Sequence, residues 1–273
     1  MITWESLVFI EVAVVLIIGL VSYYFDILTF DGFIGGLVIG VPIIVFGGFD
    51  WFLLLMLFLI SGSALTKIGK GKKIHFSIVN EKTGTRAWPN VIANGLWPML
   101  AALLHYFLPW NTPELYWTLF YIGALSSMMA DTTATEIGML SSEKPRLIYD
   151  PRKTVEVGVS GGVTLLGTVT GVLSSLAFAL VGYLLVREAM LIRYLTAIVL
   201  AGSIGNIADS LFGAVIQAKY VCVECGKIVE SPFHCGKDSR KIHGYEWVNN
   251  HTINFLSSFV GGLLAIVFYV FFP

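Results

Sequence analysis

Residues 116–130 read YWTLFYIGALSSMMA and run directly into ADTTATEIG at 130–138. An apolar segment of membrane length therefore ends in Asp131 and Glu136 with threonines between them. Ionisable groups at membrane depth are costly and normally face a polar cavity, which makes them candidates for a site. The other reading is a helix end whose acids simply reach water. Working outward, SSEKPRLIYDPRKT (141–154) and VEVGVSGGVTLLG (155–167) add bases and glycines. Two acids suited to a divalent cation, a basic loop and a Gly-rich turn together suggest phosphate chemistry at a membrane face.

The rest of the chain supports a membrane setting. Of 273 residues, 56% are hydrophobic and 13% charged, with a mean hydropathy of +0.80. A soluble globule carries roughly a quarter charged residues. Stretches near 6–25, 31–48, 50–66, 90–109, 115–137, 159–185, 195–217 and 252–272 are each long enough to span a bilayer. The expected fold is thus all-α: a polytopic membrane bundle of about eight helices in one domain over 1–273, with a small Cys/His loop at 219–246. The sixth stretch is long enough to begin as a re-entrant turn. The first lacks a basic leader and a small-residue cleavage site, so it reads as a retained helix.

Charge placement orients the bundle. Six of the seventeen Lys and Arg fall between Lys67 and Arg86, four between Lys144 and Lys153, and five between Lys219 and Lys241. Eight spans put all three loops on one side, leaving Arg187 and Arg193 opposite. The positive-inside rule makes that side cytoplasmic and both termini external. A net charge of -1 points to no nucleic-acid partner.

Each polar island suggests a role. The Lys67, Lys70, Lys72 and Lys73 cluster suits topology and lipid headgroups. Gly84, Thr85 and Arg86 ahead of a helix suit a phosphate, which Arg binds bidentately. Asn90 and Asn94 share one face of that helix, although capping explains them nearly as well. Asp131 with Thr135, and Thr132 with Glu136, are each four apart and group oxygens as Mg²⁺ prefers. Arg152, Lys153, Thr154 and Glu156 lead into Gly158, Gly161 and Gly162, an anion-site pattern. Gly167 and Gly171 suit close helix packing. Asn206 and Asp209, three apart, form a deep island with Ser210. Asn250 and Asn254 share a face of the last span, and Trp247 suits an interfacial anchor. Cys222, Cys225, His234 and Cys235 have zinc-ligand spacing, with His243 a competing fourth ligand. All three cysteines lie here, which argues against a disulfide scaffold.

Several of these pieces, in this order, resemble the integral-membrane family that includes plant phytyl-phosphate kinase. They are GTRAWPNVIANG (84–95), ADTTATEIG (130–138), PRKTVEVGVSGG (151–162), GNIADSLFGAVIQAKY (205–220), HCG (234–236) and WVNNHTIN (247–254). The second and third are also distantly similar to phosphatidate cytidylyltransferases. There Arg152 replaces the first lysine of that family's pattern, and Val157 separates Glu156 from Gly158. The resemblance implies a nucleotide-dependent enzyme acting on isoprenoid lipid phosphates with CTP and Mg²⁺. The leading expectation is a polyprenyl-phosphate kinase. In it Asp131, Glu136 and Asp209 hold Mg²⁺, Arg86, Arg152 and Lys153 hold phosphates, and Asn94, Asn206 and Asn250 orient ligand oxygens. A cytidylyltransferase is the same-face alternative, and an ion-coupled transporter using Asp131 and Asp209 is the alternative of another class.

Overall fold

The computed structural model describes residues 4–68, 84–108, 114–186 and 190–272. Lys70, Lys72, Lys73 and Arg187, named above, lie outside them. The described residues form helices α1 (Trp4–Tyr24), α2 (Phe30–Pro42) and α3 (Phe49–Lys67), with a π-helical turn at Ile43–Gly47 extending α2. Helices α4 (Trp88–Phe107) and α5 (Glu114–Gly138) follow. Strands β1 (Arg146–Leu147), β2 (Asp150–Thr154) and β3 (Gly162–Val163) precede α6 (Leu165–Val186) and α7 (Leu191–Val215). Strands β4 (Lys219–Cys222), β5 (Ile228–Val229), β6 (Phe233–His234) and β7 (Lys237–His243) come before α8 (Asn250–Phe271).

Helix ends follow local chemistry. Thr29 caps α2 by accepting from the Gly32 N–H at 3.1 Å, and Asn249 caps α8 by accepting from Thr252 N–H at 3.1 Å. Pro89 sits in the first turn of α4, where its missing N–H costs nothing. Gly48, at φ +88°, breaks the chain between the π turn and α3.

Helix α5 is the central post, packed on α3, α4, α6, α7 and α8. Every residue from Thr118 to Ala130 is buried. Lipid is as apolar as leucine, so helices associate in it through close packing of small residues. A Cβ on Gly205 would lie 2.1 Å from Ser127 Oγ, so α7 and α5 touch there as only glycine permits.

The membrane-helix reading is borne out, with two amendments. Among the described residues, six helices are long and apolar enough to cross a bilayer: α1, α2 with its π turn, α3, α6, α7 and α8. Helices α4 and α5 are not among them. Walled by protein, α5 carries Thr118, Ser126 and Ser127 where a lipid-facing helix needs apolar residues. Helix α4 carries Asn90, Asn94, Pro98 and His105. The second amendment concerns the all-α expectation. Two small antiparallel sheets, ordered β2-β1-β3 and β5-β4-β7-β6, occupy the inter-helix segments. Residues 159–164, assigned to the sixth span, form a turn and β3, and α6 starts only at Leu165.

The helices alternate in direction. The ends of α3, α5 and α7 and the starts of α4, α6 and α8 meet at one pole, which also carries both sheets. At the other pole, the Arg193 guanidinium donates to the Tyr269 and Val270 carbonyls and stacks 4.8 Å over the Tyr269 ring. A cation at those terminal carbonyls suits the helix dipole.

Candidate active site

The sheet-bearing pole encloses a chamber of about 720 Å³, within the range of small-molecule sites. On its wall the carboxyl groups of Asp131 (α5) and Asp209 (α7) lie side by side. Ser257 of α8 donates to Asp209 Oδ2 at 2.8 Å. Glu136, about one and a half turns beyond Asp131, adds negative charge to the same chamber. Two adjacent buried carboxylates repel, so the pair needs a shared proton or a cation between them. The buried amide of Asn206 stands beside them, 2.9 Å from where a Cβ on Gly171 of α6 would lie.

Positive charge comes from Arg86. It leads into α4 along a backbone bridge to Leu28, with its N–H donating to Ile27 O at 2.9 Å. Its guanidinium lies 5.1 Å over the Phe58 ring and against Gly62, so it is buried yet lines the chamber. Next along α4, Asn94 donates to the Asn90 carbonyl at 2.9 Å and receives Asn254 Nδ2 at 3.5 Å. Asn94 thus stands behind the wall that Asn90, Asn250 and Asn254 line. Four buried lining atoms find no hydrogen-bond partner among the described residues: Ser203 Oγ, Gln217 Oε1, His251 Nδ1 and Asn254 Oδ1. Buried polar atoms are nearly always satisfied, so four orphans on residues of one chamber's lining mark a polar network that a small rotation or a bound water would complete.

The third wall is the turn over 157–162. Gly161 adopts φ +84°, and a Cβ there would lie 2.3 Å from Ala214 Cβ, so only glycine fits. Ser160 is held from outside. Its N–H donates to Glu230 Oε1 at 2.9 Å, its hydroxyl donates to the same oxygen, and its carbonyl accepts from Lys219 Nζ at 2.9 Å. Gln217 Nε2 donates to Glu230 Oε2 at 2.7 Å, completing the clamp. Burial lowers the Lys219 pKa, and the nearby Glu230 carboxylate works against that shift.

The structure gathers Arg86, Asn90, Asp131, Thr135, Glu136, Gly161, Gly162, Asn206, Asp209, Asn250 and Asn254 around one chamber. It leaves out Arg152, Lys153, Thr154 and Glu156. Arg152, Lys153 and Thr154 belong to strand β2, whose pairing with β1 leaves all three exposed, and Glu156 just beyond is exposed too. The Lys153 ammonium is 3.3 Å from Asp150, and its side chain is 70% exposed. The catalytic reading of Lys153 is corrected accordingly. Sequence reasoning missed Ser160, Gln217, Lys219, Glu230, His251 and Ser257. Ser160 sits inside VSGG, and Gln217 and Lys219 inside IQAKY, both already marked as motifs. Glu230 has no local signal, since only tertiary pairing brings its loop to the turn.

Two donor sets suit cations. Asp131 and Asp209 offer adjacent hard oxygens, with Glu136 farther along α5, the donor type Mg²⁺ prefers when water and phosphate fill its other positions, although the three acids do not close into a single ligand set among the described residues. The second set is soft: the ligand atoms of Cys222, Cys225, His234 and Cys235 all lie within 4.8 Å of one another. The Cys225 backbone N–H and His234 bring the Cys222 thiol down to about 6, while desolvation and the neighbouring thiols push Cys235 up to about 11. His243, the competing ligand, instead turns Nε2 to the Val215 carbonyl at 2.9 Å.

The model of the integral membrane protein family DUF92 matches residues 13–262, a stretch containing every residue that lines the chamber. The chain belongs to the DUF92 family. Among its relatives is the uncharacterized membrane protein MJ0933 of Methanocaldococcus jannaschii, 31% identical over 98% of this chain and 97% of that one. Protein PGR of Arabidopsis thaliana is 30% identical over 81% of this chain and 82% of its own. The chloroplastic protein VTE6 of the same plant is 26% identical over 79% of this chain and 57% of its own. No solved structure matches this DUF92 chain.

Proposed function

We propose that this protein is a polyprenyl-phosphate kinase, transferring the γ-phosphoryl group of a nucleoside triphosphate, CTP by resemblance, to an isoprenoid lipid monophosphate. The carboxyl pair of Asp131 and Asp209, in a chamber that also holds Arg86, carries this reading. Kinship with VTE6, and the motif likeness to phytyl-phosphate kinase, support the substrate class.

In this reading an oxygen of the lipid monophosphate attacks the γ-phosphorus. The bond from that phosphorus to the β-phosphate oxygen breaks, and the nucleoside diphosphate leaves. The nucleophile is already anionic, so no side chain need act as general base. Such transfer is mostly positioning and charge neutralisation. Asp131, Glu136 and Asp209 would hold Mg²⁺, which supplies countercharge to the phosphates. Arg86 grips a phosphate, and Asn90, Asn206, Asn250 and Asn254 orient polar oxygens, with Asn94 steadying Asn254. Gly161 and Gly162 let the turn pack against Ala214 and Val155 while lining the chamber beside the phosphates.

The chamber also suits an amphipathic substrate. Val172 of α6 and Ile207 of α7 line it and are 40% and 47% exposed. In this reading the apolar seam between α6 and α7 is where a lipid tail passes from the polar space to the bilayer. Eight crossings with this pole cytoplasmic follow the positive-inside pattern, since Lys67, Arg86, Lys144, Lys153 and Lys219 all belong to its loops. Polar groups gathered at one pole rather than at the midplane favour an enzyme over a transporter.

The test incubates purified protein with labelled CTP, Mg²⁺ and isoprenyl monophosphates of several lengths. Lipid diphosphate with CDP is expected. A CDP-lipid with pyrophosphate would replace the kinase with a cytidylyltransferase, and no product with any lipid would remove the reading.

A further inference from the structure

The Cys/His ribbon and the chamber are tied together by one residue. Glu230 lies between Cys225 and His234 in the chain, hence inside the loop that the Cys/His set closes. Its carboxylate is the acceptor for the N–H and hydroxyl of Ser160, on the chamber turn, and for Gln217 at the end of α7. We infer that Cys222, Cys225, His234 and Cys235 bind one Zn²⁺, and that this zinc-closed ribbon holds the chamber turn in place through Glu230.

The ligand geometry supports the metal. Zinc holds thiolates at about 2.3 Å in a tetrahedron, which sets sulfur atoms roughly 3.8 Å apart. His234 Nδ1 is 3.2 Å from Cys235 Sγ and 3.6 Å from Cys225 Sγ, and all four ligand atoms fall within 4.8 Å. Cys235 and Gly236 have positive φ, 52° and 76°, and Gly226 likewise at 68°, the tight turns that bring two short ligand pairs face to face. Four protein ligands leave no open position, so the metal is structural.

The ribbon itself is a poor scaffold. Strands β5 and β6 have two residues each, and the ribbon's apolar cluster is Ala218, just ahead of β4, with Tyr220 and Val229. So small a core needs a staple to hold its shape. Without the metal, Glu230 is left to the two-residue pairing of β5 with β4 and its own contacts to Ser160 and Gln217, so the acceptor that protects the Ser160 amide is held less firmly. The inference concerns the ribbon and the turn, and stands whatever reaction the chamber performs.

The test uses the full chain purified in detergent. Metal analysis is expected to find one zinc per chain, and Co²⁺ exchange to give the thiolate charge-transfer absorption of a tetrahedral site. His234→Ala should weaken zinc on the order of tenfold or more, whereas His243→Ala should retain it. Chelation of the wild-type protein should speed amide exchange across residues 157–162 on the order of tenfold, which needs no cysteine variant to fold. Glu230→Gln should speed the same exchange with zinc still bound. Absence of zinc, equal loss in both histidine variants, or exchange in the turn indifferent to chelation would each overturn the inference.

Discussion

Asp131 of α5 and Asp209 of α7 set their carboxyl groups side by side, and Ser257 of α8 donates to Asp209 at 2.8 Å. Two helices therefore bring carboxylate oxygens to one point on the chamber wall, and a third steadies one of them from behind. If that point holds Mg²⁺, its binding should raise the melting temperature of the protein, because a ligand that binds only the folded state stabilises it. Asp209→Asn and Asp131→Asn should each remove this shift and lower turnover on the order of 100-fold or more, about 2.7 kcal/mol of transition-state stabilisation. Removing one charge of a repelling pair should leave the metal-free variants at least as stable as the parent. Differential scanning with and without Mg²⁺ checks both. An Mg²⁺ shift that persists in Asp209→Asn would detach the metal from the pair.

The cations of the site are now distinguishable. Lys153 is exposed on β2 and paired with Asp150, so Lys153→Ala should keep turnover within about twofold, as expected for an exposed ion pair. Arg86 is buried beneath Phe58 and fitted against Gly62. Arg86→Lys keeps the charge but loses the planar fork and should lower kcat/KM on the order of 100-fold. Gly62→Ala places a methyl 2.3 Å from Arg86 NH2, so the guanidinium must swing away. KM for the phosphate substrate should then rise about tenfold, since a displaced bidentate clamp costs roughly 1.4 kcal/mol or more. Steady-state kinetics on the three variants decides, and a Lys153→Ala defect matching that of Arg86→Lys would reverse the correction.

Much of this architecture was legible because membrane helices announce themselves by length and apolarity. The acids of ADTTATEIG and GNIADS stood out against that background, and the chamber brings Asp131 and Asp209 together. Helix α5 was found despite its serines because its flanks were apolar, although it is protein-walled rather than lipid-facing. The basic-then-glycine run of 151–162 misled, because sequence does not show which way a short strand turns its side chains. Its glycines line the chamber while Arg152, Lys153 and Thr154 face outward. Glu230 was illegible for another reason: its partners Ser160 and Gln217 lie 70 and 13 residues away, and only the ribbon's pairing brings them near.

Gly161 offers a test of the turn that owes nothing to the reaction. Alanine there meets both a left-handed backbone and the Cβ of Ala214 at 2.3 Å. Strain of about 1–2 kcal/mol and overpacking of about 1–3 kcal/mol should add to about 3 kcal/mol of lost stability. Gly48 has a similar φ of +88° but nothing within 4 Å of the added Cβ. Its ψ of 176° puts it in a region essentially reserved for glycine, so Gly48→Ala should cost that backbone strain alone, about 1–3 kcal/mol. Thermal unfolding of the two variants in the same detergent measures the difference. Equal losses would mean that the turn does not press on α7 as described.

The seam between α6 and α7 makes the last prediction. Ile207 lines the chamber and is 47% exposed, and Val172 faces it from α6 at 40%. A bulky ring in that gap should obstruct a tail lying in the bilayer while leaving the polar pole intact. Ile207→Trp should thus raise KM for long-chain isoprenyl monophosphates on the order of tenfold, about 1.4 kcal/mol. Its KM for CTP should stay unchanged, as should turnover of a water-soluble short-chain phosphate. The surface is apolar on both counts, so the folded protein should tolerate the substitution in detergent and in lipid. If long and short substrates suffer alike, the tail does not pass between these helices, and the lipid must enter the chamber by another route.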